Sequence, residues 1–140
     1  MTSFLFVCIE NANRSQMAQA FATLHGGAQV AAFSAGSRPS GVINPKAVAA
    51  MAELGYDLTA HASKSLDEVR DQQFDYVVTM GCGDACPFIA ARHRVDWQIP
   101  DPKHLEPAGF RQVRDLVERQ VRALLAEAGV ALETDFAALK

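Results

Sequence analysis

The sequence has few cysteines, no long apolar run and no concentration of positive charge. Its 140 residues include three cysteines, an odd and small number that does not suit a disulfide-stabilised secreted domain. No segment approaches the roughly 20 apolar residues of a membrane span. The start of the chain has neither the basic region nor the apolar length of a signal peptide. These absences predict a cytoplasmic protein whose thiols are reduced.

Charges of both signs are scattered along the chain. The formal net charge is −3, and no run of Lys and Arg residues occurs. Neither a nucleic acid nor a membrane surface is therefore predicted as a partner. Hydrophobic residues make up 49% of the chain, which is enough to build a core without help from disulfides or metals. We expect residues 1–140 to form a single domain.

Short apolar segments alternate with amphipathic ones. Strands are predicted at 4–7, 29–34, 76–80 and 95–99, and helices at 15–24, 44–55 and 110–128, with a short helix beginning at Ser65. This alternation predicts an α/β fold with a four-stranded parallel sheet and helices on both faces. Ligands of such sheets bind at the carboxyl ends of the strands. Cys8, Cys82 and Asp101 each follow a predicted strand, so we expect them to meet at one edge.

The segment after the first strand carries the most specific pattern. Cys8 is followed by five residues and then Arg14-Ser15, at the entrance to a helix. Backbone N–H groups in such a loop form a site for anions, and together with Arg14 they favour the thiolate of Cys8. The guanidinium can bind two oxygens of a tetrahedral oxyanion, and Ser15 can donate a hydrogen bond to the sulfur. The alternative is a small buried cysteine at the end of a strand.

The predicted oxyanion-binding loop therefore consists of Ile9, Glu10, Asn11, Ala12, Asn13 and Arg14. Asn11 is expected to stabilise a strained turn, which asparagine tolerates better than most residues. A carboxylate beside an oxyanion is repulsive, so Glu10 is expected to point outward. The four histidines lie at element ends or in loops and are expected to be ordinary surface residues.

The other two cysteines lie together after the third predicted strand. Cys82 and Cys86 are four residues apart, and helical geometry would place them about 6 Å apart. That spacing is within the range of roughly 4.4–6.8 Å that a disulfide tolerates. They could instead be incidental thiols or half of a metal site. Since no further ligands follow at zinc-finger spacing and the nearest histidine is His93, we predict neither a metal nor a cofactor.

Several motifs together carry a family resemblance. Residues 8–15 resemble the phosphate loop of the low-molecular-weight protein tyrosine phosphatases, and residues 14–18, Arg-Ser-Gln-Met-Ala, resemble the thiol-dependent arsenate reductase branch of that family. Further similar motifs are Ser34-Ala35-Gly36, Asn44-Pro45, the segment 63–66, the segment 82–86 and Asp101-Pro102. The resemblance extends over nearly the whole chain. It implies the fold of that family and a monomeric arsenate reductase.

The resemblance also implies roles for individual residues. Cys8 is the nucleophile that forms a thio-arsenate adduct in the loop, with Arg14 and Ser15 assisting and phosphate competing for the same site. Asp101 is the general acid. Cys82 resolves the adduct, and Cys86 accepts the resulting disulfide. A thioredoxin-like or glutaredoxin-like protein, or a low-molecular-weight thiol, then regenerates the enzyme.

Two other functions remain open from the sequence. With water as the second nucleophile, Cys8 and Asp101 would serve a tyrosine phosphatase, and residual phosphatase activity can coexist with reduction. However, Gln16 stands where true phosphatases tend to have proline, and Lys103-His104 stand where they carry aromatic residues. These departures favour a small inorganic oxyanion. A non-enzymatic arsenite or soft-metal sensor using three thiols is the third reading, and it gives Arg14 no role.

Overall fold

A computed structural model describes residues 1–81 and 89–132 of the chain. Four strands, β1 (Thr2–Cys8), β2 (Val30–Gly36), β3 (Gln73–Thr79) and β4 (Ala90–Asp96), form one parallel sheet in the order β2-β1-β3-β4. The α-helices are α1 (Arg14–Gly26), α2 (Pro45–Ala52) and α3 (Pro107–Glu127). The predicted α/β fold is confirmed. Cys82 and Cys86 lie outside the described residues.

The central strand β1 has apolar side chains on both faces of the sheet. Because side chains alternate along a strand, Phe4 and Phe6 join one core cluster and Leu5 and Val7 join another. The first cluster includes side chains from α1, α2 and α3, while the second includes Leu66 from a short 3-10 helix, Leu66–Glu68. In the described residues, all three α-helices therefore pack on one face of the sheet, and the short 3-10 helix packs on the other. No helix within 1–81 or 89–132 is long and apolar enough to cross a bilayer.

The order of the strands places the end of β1 at a topological switch point. From β1 the chain crosses to β2 on one side, and it later returns to β3 on the other side of β1. The connections leave a crevice at the carboxyl end of the strand where their direction reverses. Cys8 is the last residue of β1, so the fold itself sets this cysteine in the crevice.

Local sequence signals account for two helix starts. The side chain of Asn44 accepts the backbone N–H of Lys46, and Pro45 occupies the first position of α2, as helix N-termini prefer. Ser65 and Glu68 form a reciprocal capping box around the short 3-10 helix. Both starts were predicted from these residues.

The prediction for the fourth strand was wrong by five residues at its start. It was assigned to 95–99, whereas β4 is Ala90–Asp96. This strand lies at the edge of the sheet and most of its side chains are exposed, so it needs no apolar run. The buried residues Trp97 and Ile99 follow the strand and lead to Asp101. The last helix also begins three residues earlier than predicted, at Pro107, where proline suits the first turn.

Candidate active site

The loop between β1 and α1 has carbonyl groups that are held outward. Four carbonyls of residues 8–12 accept backbone N–H groups from residues 37–44, at N···O distances of 2.8–3.3 Å. In a trans peptide the N–H points opposite to the C=O, so these bonds direct N–H groups of the loop towards its centre. Consecutive inward N–H groups form a site for an anion.

A buried chain of hydrogen bonds leads to the sulfur of Cys8. Its Sγ lies 2.8 Å from Oγ of Ser15, and Asn11 Nδ2 donates to the same Oγ at 2.8 Å. Because Ser15 accepts from Asn11, its own proton is available to the sulfur. Asn11 has a φ of +51°, the only positive value of a non-glycine residue in the described part of the chain. The strained turn expected at this asparagine is present.

Arg14 lies against the segments that follow β3 and β4. Its Nη1 donates to the carbonyl of Ile99 at 3.0 Å, and its Nη2 lies 3.8 Å from Oδ2 of Asp101. A Cβ added to Gly81 would be 2.8 Å from Nη1, closer than such contacts allow. Arg14 is 7% exposed. Its position is therefore restricted by the residues that follow β3 and β4.

A small cavity lies between the loop and Asp101. It has a volume of about 60 Å³ and is lined by Cys8, Ile9, Glu10, Ala12, Asn13, Arg14 and Asp101. A water's share of the liquid is about 30 Å³, so the cavity has room for a small ion such as a tetrahedral oxyanion and not for a large organic group. Asp101 is half exposed, and its Oδ1 accepts the backbone N–H of Lys103.

The structure thus brings together four of the six residues that the sequence analysis named as catalytic. Cys8, Arg14 and Asp101 line the cavity, and Ser15 lies behind the sulfur. The other two, Cys82 and Cys86, fall outside the described residues. Within 1–81 and 89–132, no three His, Cys, Asp or Glu side chains lie close enough together to hold a metal ion.

Glu10 carries a charge that is paired outside the loop. Its two carboxylate oxygens accept hydrogen bonds from Nζ of Lys103 at 2.9 and 3.2 Å. This bond with Glu10 raises the pKa of Lys103. The ion pair joins the loop to the segment that follows Asp101.

The expectation that all four histidines are surface residues was wrong for two of them. His25 is buried, with Nε2 2.8 Å from a carboxylate oxygen of Glu118. His61 is half-buried, and its Nδ1 lies 2.9 Å from Oε1 of Gln16. Their partners lie 93 and 45 residues away in sequence. No local pattern marks such pairs, because packing alone brings them together.

Comparison with known families decides the affiliation of the chain. The sequence model for low molecular weight phosphotyrosine protein phosphatase matches residues 3–135. The chain belongs to this family. Within the low molecular weight phosphatase family, the curated relatives include the glutaredoxin arsenate reductase of Synechocystis sp., 35% identical over 91% of this chain and 98% of that protein. An arsenate reductase of Halalkalibacterium halodurans is 37% identical over 89% of this chain and 94% of its own.

Solved structures of the phosphatase family agree with the sequence comparison. An arsenate reductase in the phosphate-binding state superimposes with a TM-score of 0.83 at 34% identity, covering 91% of this chain and 98% of its own. The family and the fold that the motif at residues 8–15 implied are therefore those of this chain.

Proposed function

We propose that this protein reduces arsenate to arsenite. The observation that carries the proposal is the small cavity in which Cys8, Arg14 and Asp101 surround a space of oxyanion size. The relatives from Synechocystis sp. and Halalkalibacterium halodurans are named arsenate reductases, and this shared identity extends over most of the chain. Phosphate, which has the same tetrahedral shape, would compete for the cavity.

The first step forms a covalent adduct. Arsenate binds to the N–H groups of the loop, and Arg14 neutralises part of its charge. The Cys8 thiolate attacks arsenic(V), so a sulfur–arsenic bond forms and one arsenic–oxygen bond breaks. Asp101 gives its proton to the departing oxygen, which leaves as water. Ser15 supports the thiolate through the hydrogen bond to Sγ.

The next steps transfer two electrons to arsenic. The Cys82 thiolate attacks the Cys8 sulfur, and the electron pair of the sulfur–arsenic bond passes to arsenic, which leaves as arsenite. A Cys8–Cys82 disulfide remains. Cys86 then attacks Cys82 and releases the Cys8 thiolate, which leaves a Cys82–Cys86 disulfide. A glutaredoxin-like or thioredoxin-like dithiol, or a low-molecular-weight thiol, supplies two electrons and completes the cycle in the cytoplasm.

A thiol count during one turnover tests this proposal. The protein is reduced, freed of reductant and mixed with arsenate, and free sulfhydryls are titrated alongside released arsenite. We expect three thiols to fall to one for each arsenite released. A Cys8→Ser variant should release none. If Cys8→Ser still reduces arsenate, Cys8 is not the nucleophile and the proposal fails.

The Cys82→Ser variant separates the internal relay from an external one. If its turnover depends on an added thiol, resolution of the adduct needs that thiol in place of Cys82. If it turns over arsenate at the wild-type rate without one, the relay proposed here is wrong.

Phosphate ester hydrolysis is the second candidate, because the family comprises phosphotyrosine phosphatases. The same loop and acid would serve it, with water attacking a cysteinyl phosphate. Glu10, which lines the cavity, is paired with Lys103, whereas a phosphotyrosine ring would need an apolar surface there. We therefore expect aryl phosphate turnover to be much slower than arsenate reduction. Faster hydrolysis of para-nitrophenyl phosphate would favour the phosphatase.

A further inference from the structure

A line of hydrogen bonds connects the surface of the molecule to the loop behind Cys8. The hydroxyl of Tyr56 lies 2.5 Å from Nε2 of His61, and Nδ1 of His61 lies 2.9 Å from Oε1 of Gln16. The side-chain nitrogen of Gln16 then donates to both oxygens of Asn11, the backbone carbonyl at 3.0 Å and Oδ1 at 2.9 Å. Gln16 is fully buried.

The acceptors around Gln16 fix the direction of every bond in this line. Nε2 of Gln16 faces the carbonyl oxygens of Asn11 and Ala62, which only accept, so Oε1 must face His61. An amide oxygen accepts only, which requires a proton on Nδ1 of His61. In the neutral ring Nε2 is then an acceptor, and Tyr56 is its donor. Each group donates towards the loop.

Both outer groups are held in their neutral forms. Burial lowers the pKa of His61, and the nearby positive charge of Lys64 lowers it further, against a smaller opposing effect of Asp57. Burial raises the pKa of Tyr56, and the charge of Asp57 adds to that increase. Both shifts favour the neutral forms, in which the order of donors and acceptors is maintained.

The inner end of the line reaches the nucleophile. Oδ1 of Asn11 accepts from Gln16 and from the backbone N–H of Lys64, which leaves Nδ2 of Asn11 directed at Ser15. Ser15 then has its proton available to Cys8. Asn11 adopts a left-handed conformation that costs free energy for an L-residue, so its orientation depends on bonds from outside the loop.

We propose that His61 and Tyr56 are positioning residues for Cys8, acting through Gln16 and Asn11 to keep the Ser15 hydroxyl donating to the sulfur. The inference rests on the proposed function, in which the Cys8 thiolate attacks arsenate. It adds two residues at the far end of the line to the groups that set the reactivity of the nucleophile. These residues, Tyr56 and His61, lie 41 and 46 positions after Ser15 in the sequence.

The test measures alkylation of Cys8 by iodoacetamide as a function of pH, with the peptide that contains Cys8 followed by mass spectrometry. We expect His61→Leu to raise the midpoint of this profile by about one pH unit, which is a tenfold loss of thiolate below the midpoint. Tyr56→Phe removes a single oxygen and should produce a smaller shift in the same direction.

Two variants control for general effects of substitution. His61→Asn keeps an N–H donor near the position of Nδ1, so it should restore most of the wild-type profile. His93→Leu removes an exposed histidine from the edge strand β4 and should leave the profile unchanged. If His61→Leu does not fold, Tyr56→Phe carries the test.

The possible results separate this inference from the proposed function. An unchanged profile in both His61→Leu and Tyr56→Phe overturns the positioning role, even if the wild type reduces arsenate. A shift in His61→Leu that His61→Asn reverses supports it. The Cys8→Ser assay for arsenite release decides the proposed function independently, because it does not involve His61 or Tyr56.

Discussion

Gly81 offers a direct test of how the structure positions Arg14. This glycine follows β3, has a φ of +86°, and lies against the guanidinium of Arg14. Replacing it with alanine combines two perturbations, backbone strain and a steric contact. Gly55 provides a matched control, because its φ is +82° but a Cβ there would meet nothing within 4 Å.

The two variants should lose similar stability. An L-residue in the left-handed region costs roughly 1–2 kcal/mol, and this applies equally to Gly81→Ala and Gly55→Ala. The contact with Arg14 adds little to the loss of stability, because the end of a flexible side chain can move. We expect their free energies of unfolding in urea to agree within about 0.5 kcal/mol. Differences of this size are the usual scatter between the effects of changes at independent sites.

Oxyanion binding should distinguish them. The new Cβ at Gly81 would lie 2.8 Å from Nη1 of Arg14, so the guanidinium must move about 0.6 Å to reach an ordinary contact of 3.4 Å. The same nitrogen donates to the carbonyl of Ile99 at 3.0 Å, and this bond orients the guanidinium. The shift therefore changes the direction in which the guanidinium donates. Hydrogen bonds to charged groups contribute about 1.5–3 kcal/mol. Loss of about half of one such bond between the guanidinium and the bound oxyanion corresponds to roughly a tenfold weaker affinity at most.

Protection of Cys8 from iodoacetamide by inorganic phosphate measures that affinity without involving Cys82 or Cys86. Gly81→Ala should need about three to ten times more phosphate for half-protection than Gly55→Ala, which should match the wild type; the range follows from 1.4 kcal/mol per factor of ten. Equal half-protection concentrations in the two variants would refute the claim that Gly81 restricts Arg14.

Two further predictions concern ion pairs. Lys103→Met leaves the carboxylate of Glu10 unpaired beside the cavity, so arsenate KM should rise about threefold at low salt, where exposed charges are least screened. The double variant with Glu10→Gln should return KM to the wild-type value, and a double variant that keeps the raised KM would contradict this. Hydrogen bonds from Arg111 and then Arg114 lower the pKa of Glu53 below 4.5, so its contribution is present above that pH and lost as pH falls through the lowered value. Glu53→Gln should therefore reduce the free energy of unfolding by about 0.5–1 kcal/mol at pH 7 and by less at pH 3, and equal losses measured in urea at both values would exclude the mechanism.

Elements with strong local signals were predicted well. The apolar run of β1, the Asn44-Pro45 start of α2 and the cap at Ser65 each depend on neighbouring residues, and each was found where the sequence indicated. The edge strand β4 was misplaced because its side chains are largely exposed and carry no apolar pattern. The buried segment after it contains Trp97 and was mistaken for the strand.

The amino-acid sequence determined the loop between β1 and α1, which we propose binds the oxyanion. Cys8, Arg14 and Ser15 lie within eight consecutive residues, and a strand that ends where a helix begins is sufficient to bring the sulfur, the N–H groups and the hydroxyl together. That arrangement is local, so spacing and residue type predict it. The family resemblance then added Asp101, which the structure places beside Arg14.

Only the tertiary structure decided what surrounds the loop. The partners of Arg14, Gln16 and Glu10 at Ile99, His61 and Lys103 lie 85, 45 and 93 residues away in sequence. Such pairs form when the strand order β2-β1-β3-β4 brings separate segments to one edge. Hydrogen bonds depend steeply on distance and angle, and the packing of the whole chain sets those for distant segments.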